Sequence, residues 1–353
     1  MTHKVIIFPT LCVVVLALFL LNIFYGAVRI PVSEVLGILS GNEASNVSWQ
    51  YIVMGYRLPQ ALTALLTGSV LSVCGLMLQV IFRNPLADSS ILGISSGAGL
   101  GVACVMLMFG GGLYIGTLSV AGFAAVFAAA LLGALAVTFV MLFLSSLIRN
   151  NALLLIAGVM LGYITSSVVM LLNFFASADG VRAYVQWGMG NFSGVSEAML
   201  SFYAILSIVC IAASSLLVKP LNIMMIGSRY AENLGVNIKR LRTIILLLTG
   251  VMAALSTAFC GPIAFIGLAV PHLSRLLLRT DDFRLIMPTT ILLGAIVALI
   301  CNFICVLPSN GCVLPLNAVT PFLGVPIILY VISRKSYCLL YTSDAADDRI
   351  SVD

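Results

Sequence analysis

Long apolar stretches separated by short polar ones limit what this chain can become more than any other feature. A bilayer span needs about 20 apolar residues. About ten such runs occur, at approximately 5–25, 58–81, 91–109, 115–147, 152–175, 199–218, 242–260, 263–278, 285–307 and 313–332. Only 8% of the residues are charged and 61% are hydrophobic, against roughly 25% charged in a soluble domain. So few charges could not cover a soluble protein of 353 residues. The expected fold is an all-α polytopic membrane protein, with residues 1–335 forming one transmembrane domain. The fourth run is long enough to tilt or to contain a turn, and the eighth is short and carries Pro271. The first run is too long for a signal-peptide core and no small-residue cleavage site follows it, so it reads as a retained span.

Charge places the loops. With the N-terminus in the cytoplasm and ten spans, only Arg29, Arg57 and Arg182 of the 17 Lys and Arg residues fall outside. That bias fits the positive-inside pattern and puts both termini in the cytoplasm. The net charge of +5 therefore reflects topology and is no argument for nucleic acid. None of the 12 carboxylates falls in the middle of a run, and Asp88 falls in an inner loop. A charge at the bilayer centre costs about 2.5–3.5 kcal/mol and is kept there mainly for function. Its absence weakens the reading of a gradient-driven carrier. The nine cysteines lie mostly within apolar runs and form no CxxC, so they read as small packing residues. Cys301 and Cys305 share a helix face, but no His or carboxylate accompanies them, and no metal site or cofactor is expected.

The polar island Lys219–Arg242 carries five of the basic residues and is assigned to the cytoplasm. Within it, Ser228, Arg229, Tyr230, Ala231, Glu232, Asn233, Leu234 and Gly235 read as a very short helix. Ser228 is expected as its N-cap and Gly235 as the left-handed residue that ends it. Tyr230, Ala231 and Leu234 fall on one face, with Arg229, Glu232 and Asn233 on the other. Two helical turns are unstable alone in water, so the helix rests on something. The chain has no P-loop, because no lysine follows a glycine. If ATP drives this machine, another chain hydrolyses it.

Three further stretches carry signals. Gly93, Gly97 and Gly101, spaced by four, allow close helix approach within the chain or across a dimer. Arg57 stands before Pro59 at a helix start, where it either snorkels or pairs with an acidic group on an external partner. Arg83-Asn84-Pro85-Leu86 forms a turn, proline excluding Asn84 from helical geometry. Near the C-terminus, Gly261-Pro262 and Pro271-His272 are expected to break the chain. His272 reads as a structural residue bonded to nearby backbone, and Asp281 and Asp282 as caps of the next helix. The tail from about Tyr337 changes composition abruptly and resembles translated library-adapter sequence, so residues 336–353 are expected to be non-native.

Taken in order, RLPxxLxxLLxGxxLxxxGxxLQxxFRNPLADxxxLGxxxGA, LNxxxxGxxxAxxLGVN, GPIxFxGLxxPHxxR and LPxNxVTPFLGxP resemble the FecCD family, from about Arg57 to Ser333. Members are permease subunits of bacterial ABC importers for ferric siderophores, haem and cobalamin. The resemblance implies a ten-span permease of the inner membrane, working as a dimer. Two cytoplasmic ATPase subunits and an external substrate-binding protein would complete the importer. A half-size permease chain favours a homodimer. Ser228 to Gly235 would be the coupling helix that sits on the ATPase. Asn84, Leu86, Asn151 and Ala152 match positions near the cytoplasmic gate, and Arg57 matches an outer arginine that docks the binding protein. The chain departs from the family at Gln60, where a second arginine is frequent, and at Asn302 and Val306, where Asp and Arg are common. Val313 and Asn317 replace a usual Glu and Gly. The competing expectation is a secondary carrier or channel that works alone. An intramembrane enzyme has no HExxH or Ser–His pair in a span to support it.

Overall fold

The computed structural model describes residues 2–42, 45–108, 119–148, 150–307 and 313–347. All the regular structure among them is helical. Helix α1 is Thr2–Phe24, followed by the short α2 (Val32–Leu39) and α3 (Val47–Gln50). A π-helical stretch, Tyr51–Arg57, leads directly into α4 (Leu58–Phe82). Then come α5 (Ile94–Met108), α6 (Ser119–Leu147), α7 (Asn151–Phe175), α8 (Ala178–Gly188) and α9 (Glu197–Leu216). The rest is α10 (Val218–Ile226), α11 (Ser228–Asn233), α12 (Ile238–Cys260), α13 (Ile266–Leu278), α14 (Phe283–Val306) and α15 (Leu316–Asp347). Among the described residues, seven helices are long and apolar enough to cross a membrane, and three shorter apolar ones, Ile94–Met108, Ile266–Leu278 and Leu316–Tyr330, accompany them. Together they account for the apolar runs read from the sequence.

The fourth run holds one continuous helix through its described part, with no turn inside it. One local expectation changes. Pro271 lies inside α13 without breaking it. A proline cannot donate to the carbonyl four residues back, here that of Gly267. That carbonyl instead faces α4, where a Cβ added to Gly75 would stand 1.8 Å from it. Freed backbone is tolerated at depth when it is buried in protein. The predicted break at Gly261-Pro262 is present, with Gly261 at φ 75° closing α12.

Helix α4 is the hub, buried along almost its whole length. At about 1.5 Å per residue its 25 residues span roughly 37 Å, more than a hydrocarbon core of about 30 Å. Arg57 and Arg83 therefore mark opposite ends of the bundle. Gly68 meets the Gly294 carbonyl of α14 and Gly75 meets Gly267 of α13, each too close to admit a Cβ. On the far side, Gly97 and Gly101 lie against Gly133 and Ala129 of α6, and Gly93 lies against Gly158 of α7. The glycines spaced by four thus join helices within one chain. Gly93 itself precedes α5 at φ 76°. Without a hydrophobic drive between helices in lipid, such close packing and buried polar contacts hold the bundle. Thr67 and Tyr203 share a 2.7 Å hydrogen bond between α4 and α9, and Ser72 donates to the Thr290 carbonyl of α14 at 3.0 Å. Helices α1, α6, α7 and α9 bury only between 17% and 28% of their most apolar windows. They form the outside of the chain, where lipid or another copy meets it.

Candidate functional site

The polar island folds as α10, Gly227 and α11 at the Arg83 end. Gly227, at φ 134° and ψ 147°, separates the two helices and is itself the cap residue of α11. Ser228 is the first helical residue rather than the N-cap, which falls on Gly227 at a positive φ that glycine adopts readily. The C-terminus follows expectation. Gly235 has φ 84°, its N–H donates to the Glu232 carbonyl, and the Val236 N–H donates to the Ala231 carbonyl. That is the Schellman arrangement, which needs a left-handed residue. Ala231 is fully buried, whereas Tyr230 and Leu234 are 65% and 64% exposed. The predicted apolar face is therefore split, with one residue anchoring the helix and two standing in the open. Glu232 and Asn233 are exposed as well.

Helix α10 ties this tip to the bundle. Asn222 donates to Asp282 Oδ1 at 2.8 Å and accepts from the Phe283 N–H at 2.7 Å. Asp282 also accepts from the Arg284 N–H at 2.9 Å, capping α14 as the sequence predicts. Asp281 is not a cap and lies 3.9 Å from Arg275 Nε. Asn222 carried no sequence signal beyond its place in the island.

The four residues expected near a gate also gather at this end. Helix α4 ends with Arg83 in the left-handed region, φ 49°, so the residue that turns the chain is Arg83 and not Asn84. Asn84 accepts from the Leu86 N–H at 2.9 Å, an Asx turn that leaves Leu86 exposed. Asn150 caps α7, and Asn151 donates to the Ile81 carbonyl of α4 at 2.8 Å, with Ala152 exposed beside it. A cavity of about 710 Å³ has both Asn151 and Glu232 in its wall, together with Arg83, Lys239 and Arg242. Another, of about 500 Å³, has both Asn84 and Gly227. The fold thus brings the short helix to cavities that it shares with Asn151 and with Asn84.

Beyond Leu86 the chain does not stay at the surface. Ala87, Asp88 and Ser89 are buried, and Asp88 Oδ1 packs on Gly267 near the start of α13. Ser90 donates to Asp88 Oδ2 at 2.9 Å. The described ion pairs do not include Asp88, and burial pushes its carboxyl above the ordinary carboxylate range. The carboxylate that the sequence assigned to an inner loop is an interior one. His272 is buried, and its Nε2 donates to the Pro85 carbonyl at 2.8 Å, a structural histidine bonded to backbone. No cluster of three metal-ligating residues occurs among the described residues.

At the opposite end Arg57 is held from within the chain. Its guanidinium is not offered outward: the residue is 5% exposed. It donates to the carbonyls of Ile23 at 2.9 Å, Phe24 at 3.0 Å and Val28. Gly26 leaves room for it, since a Cβ there would meet its Nε at 2.6 Å. Arg57 thereby satisfies the end of α1, where a cation also suits the helix dipole. Two departures from the family pattern prove to be partners: Gln60 donates to Asn302 at 3.0 Å, and Asn302 donates to Asn22 at 2.9 Å. Amides stand where charged residues are frequent, and burying them avoids the desolvation of an ion pair. Asn317 donates to the Gly188 carbonyl at 3.0 Å and to the Pro262 carbonyl, joining α8, the segment between α12 and α13, and α15. Arg29 and Arg182 are exposed.

A hub helix crossed by glycines, peripheral apolar helices and a polar tip at one end define a polytopic helical protein of the membrane. The model of the FecCD transport family matches residues 14–334, and the chain belongs to that family. It is similar to the vitamin B12 import system permease protein BtuC of Klebsiella pneumoniae, 33% identical over 290 residues, covering 81% of this chain and 83% of that protein. The BtuC of Salmonella paratyphi A is 33% identical over 291 residues, covering 81% and 85%. In fold it is similar to a metal-chelate type ABC transporter solved in an inward-facing conformation, with a TM-score of 0.79 and 25% identity, covering 93% of this chain and 99% of that one. The chain is an ABC importer permease subunit, a transport protein and not an enzyme in itself.

Proposed function

We propose that this permease carries a cobalamin or a ferric siderophore across the bacterial inner membrane, receiving it from an external binding protein. Haem is a third cargo of the same class. Two copies of the chain form the path, and two ATPase subunits on the cytoplasmic side drive it. The observation that carries this reading is the short helix α11, anchored by Ala231 with Tyr230 and Leu234 exposed at its tip. A large apolar pair on a six-residue helix has no use unless something covers it, and an ATPase groove is the occupant that the family supplies. ATP-driven closure pulls on α11, and α10 passes the displacement through Asn222 and Asp282 to α14. Asn84, Leu86, Asn151 and Ala152 form the cytoplasmic gate. At the other end Arg29 and Arg182 supply exposed charge for an acidic binding protein, while Arg57 holds the end of α1 behind that face.

The test is Tyr230→Glu in an importer reconstituted with its ATPase and binding protein. Uptake is lost and ATPase association weakened, while the chain remains in the membrane. Full uptake by this variant would refute the coupling role.

A further inference from the structure

We infer that the gate loop, residues 83–93, is carried by α13, and that His272 and Asp88 are the positioning residues that make it follow that helix. The inference rests on the reading of Asn84 and Leu86 as gate residues. Sequence alone places this loop between α4 and α5, free to move with either. The structure attaches it elsewhere. Arg83 turns the chain, and the Asn84 N–H returns to the Gln79 carbonyl at 3.2 Å, so the backbone of the first two loop residues stays on α4, and farther in the Ser89 side chain meets Cys74 of that helix.

From there the centre of the turn and Asp88 go to α13, while the far end, Ile91 to Gly93, rests on Gly158 of α7. His272 holds the Pro85 carbonyl between Asn84 and Leu86, a bond placed at the centre of the gate turn. Three residues on, the buried Asp88 carboxylate rests on Gly267, where any Cβ would stand 2.3 Å from Oδ1 and 2.9 Å from the Leu71 carbonyl. Gly267 therefore fixes how deep the loop can enter. Its contact with Gly75 lies seven positions before the end of α4, so Asp88 sits roughly 10 Å inside the helix end. The Ile91 and Leu92 N–H groups bond back to the Asp88 carbonyl, making the inserted segment a compact wedge. The segment is thus held by α13 at two points five residues apart in that helix.

Helix α13 is suited to move as a lever. Residues in the left-handed region bound it at both ends, Phe265 at φ 71° and Arg279 at φ 47°. Its inner end leads through Asp281 and Asp282 to the Asn222 clamp, and so to α10 and α11. A displacement of α11 reaches the gate turn by this route without passing along α4.

The experiment labels Leu86→Cys with a membrane-impermeant maleimide in the full importer, resting and nucleotide-trapped, above the background of the parent. With the native loop the labelling rate changes several-fold between the two states. His272→Leu and Asp88→Ala each reduce that change to less than about two-fold while ATP hydrolysis continues. His272→Gln, which retains a donor for Pro85, restores the change, as does Asp88→Asn. A merely structural role would lower the yield of assembled importer and leave the ratio intact. If the Leu and Ala variants fail to assemble, labelling in Gln and Asn variants against Arg279→Gly, which loosens the left-handed end of α13, gives the same comparison. A state-dependent rate that survives in all loop variants overturns the inference. A rate that never changes, even with the native loop, overturns the gate assignment itself.

Discussion

Replacing Arg57 by Met distinguishes an internal clamp from an exposed docking charge. Three carbonyls, those of Ile23, Phe24 and Val28, lose their donor. Hydrogen bonds to charged groups are worth about 1.5–3 kcal/mol each, and the favourable charge at the end of α1 adds about 0.3–2 kcal/mol. Methionine recovers part of the packing, and the freed carbonyls near the membrane surface regain some water. A net loss of about 3–5 kcal/mol follows, matching the cost of removing one member of a buried charged pair. At about 2 °C per kcal/mol for a chain of this size, unfolding of the detergent-solubilised protein should move down by roughly 6–10 °C. Arg57→Lys should fall between the two, since one ammonium lacks the fork that reaches three acceptors. Binding-protein affinity, measured on the folded fraction, should change little, whereas Arg29→Glu with Arg182→Glu should weaken it and steepen its salt dependence. The reasoning is refuted if Arg57→Met leaves the melting temperature unchanged and abolishes docking, because the guanidinium would then leave its carbonyls to meet the partner.

Two other predictions concern the interior. Gly75→Ala puts a methyl group 1.8 Å from the Gly267 carbonyl, so α4 and α13 must separate; a loss of about 1–3 kcal/mol should appear in thermal melts, and an unchanged melt would mean that the crossing is looser than described. The raised pKa of Asp88 means that the fold favours its protonated form. Its contribution is present below the ordinary value of about 3.9 and is lost as pH rises through the folded value. Asp88→Asn should therefore melt higher than the parent at neutral pH, with the two curves converging in acid. Parallel curves at all pH values would show that the carboxyl is not desolvated.

Much of the fold is legible in the sequence because lipid leaves few solutions: a long apolar run becomes a helix, and the runs map onto α1, α4 to α7, α9 and α12 to α15. Local signals also held. Gly235 is left-handed, Asp282 caps α14, and His272 bonds to backbone. What escaped was non-local. Arg57 reads as an outer arginine, because nothing in its neighbourhood announces three carbonyls from a segment about thirty residues earlier. Asp88 lies in a polar tetrad, Ala-Asp-Ser-Ser, that looks like surface loop, and only the glycine at 267 makes room for it inside. Gln60 and Asn302 look like two separate losses of charge until the helices bring them together. Helix starts were the other weak point. Ser228 is a good cap residue, but Gly227 takes the cap geometry first.

The central claim is that ATP hydrolysed on a separate chain drives transport through this one, and uptake into proteoliposomes tests it most directly. The permease is reconstituted with its ATPase and binding protein, with cobalamin and a ferric siderophore supplied in parallel. The account predicts uptake of one of them that requires ATP, the ATPase and the binding protein together, and that stops with Tyr230→Glu. Uptake by the permease alone, driven by an ion gradient and indifferent to ATP, would contradict it.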